Sequence, residues 1–154
     1  MEYLIAKWLH VLSSTLLFGT GLGSAYYLYF ASRTRDARAV AVVARYVVLA
    51  DYLVTATTVI FQPLSGWYLA KLASLPMTTG WIARSFVLYA LAVACWLPVV
   101  FLQVRMRDLA AEAAAANKPL PARYFELLRL WTILGMPAFG AFLLIFWLMI
   151  AKPG

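Results

Sequence analysis

The sequence is short of charge. Only 12% of its 154 residues are Asp, Glu, Lys or Arg, and six of these are acidic. A water-soluble domain carries about 25% charged residues, so a soluble globular fold is excluded on composition. Cysteine is scarcer still. Cys95 stands alone, which rules out a disulfide within the chain and any metal site built from several thiolates. It falls in the middle of an apolar run, where a small packing role is expected. Histidine also occurs once, as His10, so two imidazoles cannot meet on one metal within one chain.

What fills the chain is apolar. Hydrophobic residues make up 65% of it, and the mean hydropathy is +0.83. Four apolar runs cover roughly 4–30, 40–69, 81–104 and 124–151. Each contains a window of about 20 mostly apolar residues, the length that crosses a bilayer core of about 30 Å. The expected fold class is therefore all-α: a polytopic membrane protein with one transmembrane domain over residues 1–154. Short connections make antiparallel neighbours, which predicts an up-down four-helix bundle. After Val104 the helix formers of Arg105–Ala116 extend span three into the cytoplasm to about 116, where Asn117-Lys-Pro-Leu-Pro121 stops it. Pro63 with Gly66 and Pro137 with Gly140 are expected to kink spans two and four. Glu2 and Lys7 make a poor signal-peptide start, so span one is read as uncleaved.

The net charge of +7 is distributed by topology. Nine of the 13 Lys and Arg sit at one end of the spans: Arg33, Arg35, Arg38, Arg45, Arg105, Arg107, Lys118, Arg123 and Arg129. Lys7, Lys71, Arg84 and Lys152 hold the other end. The positive-inside rule puts loops 31–39 and 105–123 in the cytoplasm and both termini in the periplasm of a bacterial inner membrane. Basic loops of this kind meet anionic headgroups; nucleic acid is not an expected partner. Trp8, Trp67, Trp81 and Trp147 cluster at the outer end as an interface belt.

Polar residues inside the runs are costly in lipid and need a reason. Asp51, Thr55, Thr58 and Gln62 fall at i, i+4, i+7 and i+11, one face of span two. On span one His10, Ser13, Ser14, Leu17, Gly21 and Ser24 share a face. Both faces are expected to turn inward, where Ser and Thr pack helices closely. His10 lies about two turns below the outer surface, near the level expected for Gln62 and Arg84. An imidazole there can ligate haem iron or relay protons, and the Arg84 fork suits a propionate. Asp51, deeper, either pairs with Arg45 or Arg129 or takes up a proton. Gly19-Thr-Gly-Leu-Gly-Ser24 lacks the strand and spacing of a dinucleotide loop. Gly19-x-x-x-Gly23 reads instead as a close approach for another helix, in this chain or in a second copy.

Several segments resemble a known family: Lys7-Trp-Leu-His10, Leu17-Phe-Gly-Thr-Gly-Leu-Gly-Ser24, Val48-Leu-Ala-Asp51, Gln62-Pro-Leu-Ser-Gly66, Cys95-Trp-Leu-Pro-Val99, Arg105-Met-Arg-Asp108 and Pro121-Ala-Arg-Tyr124. This is the bacterial integral-membrane family catalogued as domain of unknown function 2269. The resemblance covers essentially the whole chain and implies a four-span inner-membrane protein with no agreed activity. More distantly, the Leu-His pair early in span one is similar to that of the four-helix membrane protoporphyrinogen oxidase and copper-resistance D families. That likeness implies haem b at His10, whereas the further histidines of the oxidase are missing here. The leading expectation is thus an inner-membrane protein binding haem b at His10. The alternatives are a non-catalytic accessory subunit docking a membrane partner or second copy through Gly19 and Gly23, and a small proton-coupled transporter using Asp51.

Overall fold

The computed structural model describes residues 1–153. Regular structure among the described residues is entirely helical: α1 Glu2–Thr34, α2 Ala37–Ala50, α3 Ala56–Leu72, α4 Gly80–Ala115 and α5 Ala122–Ala151. A five-residue π turn, Asp51–Thr55, joins α2 to α3 without breaking the rod. Four rods result, the second running 36 residues from Ala37 to Leu72.

Local chemistry sets where the rods stop. Arg35 takes a left-handed conformation, φ 58°, and ends α1. Asp36 then caps α2 by accepting from the backbone N–H groups of Arg38 at 2.9 Å and Ala39 at 3.4 Å, satisfying donors that a first turn leaves orphaned. Asn117, φ 51°, closes α4, and Pro121 sits at the N-cap of α5. The two connections touch: Arg38 Nη2 donates to Asn117 Oδ1 at 2.5 Å. Pro63, Pro98 and Pro137 all lie inside helices.

Three rods are long and apolar enough to cross a membrane: Ala37–Leu72, Gly80–Ala115 and Ala122–Ala151, with window hydropathies of 1.7, 2.3 and 2.3. Helix α1 has the length, at 33 residues, but not the same apolar density. Lys7, His10, Ser13, Ser14, Thr15 and the glycines at 19, 21 and 23 dilute its leucines. Of the four expected apolar runs, three are strongly apolar rods and the first is a helix with a polar face.

Helix α1 packs on α2 and α3, α2 packs on α4, and α4 packs on α5. Aromatic side chains link α1 to α5, with Phe18 5.5 Å from Phe139 and 5.2 Å from Phe146. The apolar core collects at the end carrying the two short connections, around Leu28, Val40, Ala44, Met106, Ala110 and Tyr124. Ala44 and Ala110 are 1% and 0% exposed, so backbones come close there. Ser32 ties this end together: its hydroxyl lies 2.6 Å from both Leu28 O and Tyr124 Oη.

Two substitutions separate these contributions. Tyr124→Phe removes one buried hydrogen bond while Ser32 keeps Leu28 O, and should cost about 0.5–1.5 kcal/mol. Ala110→Leu overfills a closed contact and should cost about 1–3 kcal/mol. Unfolding in detergent followed by circular dichroism measures both, and a silent Ala110→Leu would contradict the close packing.

Candidate functional site

The polar face of the second rod is built around the π turn. Asp51 opens it, and the Ala56 N–H bonds back to Asp51 O. Widening a turn in this way displaces the register of the residues after it, and such turns recur at functional sites. The uninterrupted helix expected from spacing is therefore corrected. Asp51, Thr55 and Thr58 are still all buried, with Asp51 4% and Thr55 3% exposed. Thr58 spends its hydroxyl on the helix, donating to Val54 O at 2.7 Å, with Thr55 O at 3.0 Å.

Asp51 and Thr55 have no such outlet. From α4, Gln103, also 4% exposed, reaches the same point. Thr55 and Gln103 lie close enough to act on the Asp51 carboxyl, yet no hydrogen bond of good geometry closes. Asp51 Oδ2, Thr55 Oγ1 and Gln103 Oε1 are each buried without a partner.

The expected ion pair of Asp51 with Arg45 or Arg129 does not form. Among the described residues the ion pairs are Arg107 with Asp108 and Arg123 with Glu126, each at 2.7 Å. Arg45 and Arg129 are exposed. Six residues along a helix is a rotation of about 240°, which turns Arg45 away from Asp51. Arg129 lies off the buried face of α5, which carries Leu127, Leu128 and Trp131.

His10 meets α3 rather than α4. Its Nδ1 lies 2.7 Å from Ser65 Oγ. The Ser65 hydroxyl has one hydrogen, within reach of Phe61 O at 2.8 Å and Gln62 O at 3.2 Å. With that hydrogen on Phe61 O, Nδ1 is the donor and the lone pair lies on Nε2; with it on Nδ1 the tautomer reverses. Gly66 makes room for the ring: a Cβ there would stand 3.4 Å from His10 Cε1. One turn deeper, Ser13 Oγ and Gln62 Oε1 are both buried without partners. Arg84 is occupied elsewhere. Its Nε donates to Gly80 O at 2.9 Å and its Nη2 to Pro153 O at 3.0 Å, which anchors the C-terminal tail. Ser14 donates to Val11 O at 2.8 Å within its own helix.

Gly19 and Gly23 face open space, with no atom within 4 Å of an added Cβ at either. Gly23 with Thr20, Ser24, Tyr27, Val43, Tyr46 and Val47 lines a groove of about 440 Å³ between α1 and α2. Among the described residues no three His, Cys, Asp or Glu side chains converge. Sequence spacing does not single out two members of these clusters. Gln103 is a lone amide between Val99 and Val104, a signal of the same kind as Asp51. Ser65 stands in the sequence only as part of a Pro-Leu-Ser-Gly kink.

Long apolar helices that satisfy their backbone groups internally define a polytopic integral membrane protein. More particularly, residues 4–153 match the family described as "Predicted integral membrane protein (DUF2269)", and the chain belongs to that family. No curated protein matches the chain, and no solved structure does.

The tautomer of His10 is open to measurement. In Ser65→Ala Nδ1 loses its hydrogen-bond partner, so ring ¹⁵N shifts should move towards a mixture of tautomers. Unchanged shifts would show that Ser65 does not orient the ring.

Proposed function

We propose that this chain is a bacterial inner-membrane protein, an antiparallel four-helix bundle with both termini periplasmic, whose Asp51 carboxyl exchanges a proton in a small proton-coupled carrier. The observation that carries this reading is the buried, unpartnered Oδ2 at the head of a π turn. An ionised carboxylate buried without a countercharge is several kcal/mol unfavourable even after relaxation, and ionisable groups retained inside membrane helices mark ion and proton paths. Nine of 13 cationic residues at the connection end support the orientation. At about 1.5 Å per residue α1 is long enough to be the fourth span, its polar face turned inward.

Vesicles reconstituted with the protein and loaded with a pH-sensitive dye test it. The wild-type chain should relax an imposed pH gradient faster than empty vesicles. Asp51→Asn should lose that increment by about tenfold or more, the range over which a positioned proton-transfer group contributes, while keeping its helical circular dichroism. Equal flux in both sinks the reading.

A second reading has its own observation. With the Ser65 hydrogen on Phe61 O, His10 is in the tautomer whose Nε2 can bind a metal, the outer-shell arrangement common to metal-ligating histidines. The residues fit haem b in part. His10 would hold the iron and Ser65 would orient the imidazole, and any further ligand would have to be a Met, water or a second copy. Arg84, turned to Gly80 and Pro153, does not make the expected propionate partner in this arrangement. Haem, when bound, would supply one-electron chemistry. Protein purified from haem-replete cells should show a Soret band that His10→Ala removes; a colourless, folded preparation rejects haem binding.

A further inference from the structure

The three orphaned oxygens at the π turn suit more than a proton. We propose that Asp51, Thr55 and Gln103 form a binding site for a dehydrated monovalent cation of sodium size, taken up in competition with the proton. The inference rests on the reading of Asp51 as the exchanging carboxyl and adds the ion that it exchanges.

The donor set comes from two rods. Asp51 Oδ2 and Thr55 Oγ1 belong to the π turn, and Gln103 Oε1 comes from α4. All three residues are at least 96% buried, and none of the three atoms has a partner. Unsatisfied buried polar atoms are rare in native structures, and each needs an explanation such as a missing ion or water. Thr55 and Gln103 both act on the Asp51 carboxyl, so the three residues meet in one neighbourhood. A carboxylate, a hydroxyl and an amide carbonyl are hard oxygen donors, the kind that select alkali and alkaline-earth ions over softer metals.

Charge decides the class. Among the described residues no charged side chain of α1, α2, α3 or α4 acts on Asp51, whose neighbours are Thr55 and Gln103. The nearest expected cations, Arg45 and Arg129, are exposed and unpaired with it. One carboxylate therefore offers one negative charge, which a single positive charge neutralises. A divalent ion would leave a net charge buried in the bundle, and calcium takes about 6–8 oxygens, usually with several carboxylates.

The same three groups satisfy a proton equally well. When Asp51 is protonated, its O–H can donate to Gln103 Oε1. When it is ionised, Gln103 Oε1 and Thr55 Oγ1 can turn their lone pairs to the cation. Both ligands claim Asp51 Oδ2, so the site holds one or the other. Proton and sodium thus exclude one another, as coupling between two ions requires. In secondary transporters ion sites lie midway along membrane helices at breaks in the backbone; here the π turn widens the helix at that position without breaking it.

Thermal unfolding of the full chain in detergent tests this without a flux assay. At mildly alkaline pH and constant ionic strength, Tm is compared in sodium, potassium and choline chloride. Sodium alone should raise Tm, and the rise should grow with concentration as a ligand's does. Below the titration of the carboxyl, the sodium concentration needed should rise about tenfold per pH unit, as one proton is displaced per ion. Asp51→Asn and Gln103→Leu should abolish the sodium-specific shift. The near-isosteric Thr55→Val, which tests the site even where Asp51→Asn does not fold, should weaken it about tenfold, as expected for one lost ligand contact worth about 1.4 kcal/mol.

Equal Tm in all three salts at alkaline pH overturns the proposal, as does an equal shift in potassium or a shift retained in both Thr55→Val and Gln103→Leu. If sodium fails while Asp51→Asn abolishes proton flux, the site holds only a proton and water, and the carrier reading stands without its sodium. If sodium binds while Asp51→Asn leaves proton flux intact, the cation site stands and the proton-carrier reading falls.

Discussion

A polar atom buried among apolar helices has no water to turn to, and that constraint organises this molecule. It makes the backbone helical from end to end, because only an internally bonded backbone survives in lipid. It also governs the side chains. Serines and threonines return their hydroxyls to the preceding turn, as Ser14, Thr57, Thr58, Ser85 and Thr132 do. Where a polar group cannot bond within its own helix, it reaches across to another. Ser32 meets Tyr124, His10 meets Ser65, and Tyr89 donates to Val59 O at 2.6 Å. Seven buried side-chain atoms among the described residues depart from that thrift, and three of them belong to Asp51, Thr55 and Gln103.

The helical character and the long apolar rods were legible in the sequence, because runs of that length and greasiness have no other stable state in a membrane. The polar residues were legible as a set, since each interrupts an apolar run. Their partners were not. Which side chain a histidine meets depends on the rotation of two rods about their axes, and Arg84 shows the error that this allows. It shares a level with His10 by residue count, but its long side chain is spent on carbonyls at the start of α4 and at the C-terminal tail. The π turn was hidden for a different reason. No proline or glycine marks Asp51–Thr55, and the one extra residue in that turn leaves composition unchanged. The weaker hydropathy of α1 was readable, and the count of its serines, threonines and glycines carries it.

Two polar centres therefore sit at different depths on the same rod. One, His10 with Ser65, lies towards the free ends, with the imidazole close against Gly66. The other, Asp51 with Thr55 and Gln103, lies nearer the connections, where a wide turn brings two residues of one helix against one of another. Between them Ser13 and Gln62 add unpartnered oxygens one turn below His10.

The length of α4 has a consequence for how the protein holds together. At about 1.5 Å per residue its 36 residues span about 54 Å, well beyond a hydrocarbon core of about 30 Å. On the proposed orientation the surplus falls at the end rich in arginine, which puts the packed cluster around Met106, Ala110 and Tyr124 outside the lipid. There the hydrophobic effect drives cohesion, whereas among lipid tails it offers helices no advantage over solvent. In that orientation one end of the molecule coheres as a small soluble domain does, grafted onto a membrane anchor. Urea should loosen that end first and leave the lipid-embedded ends associated, so unfolding need not be a single cooperative event.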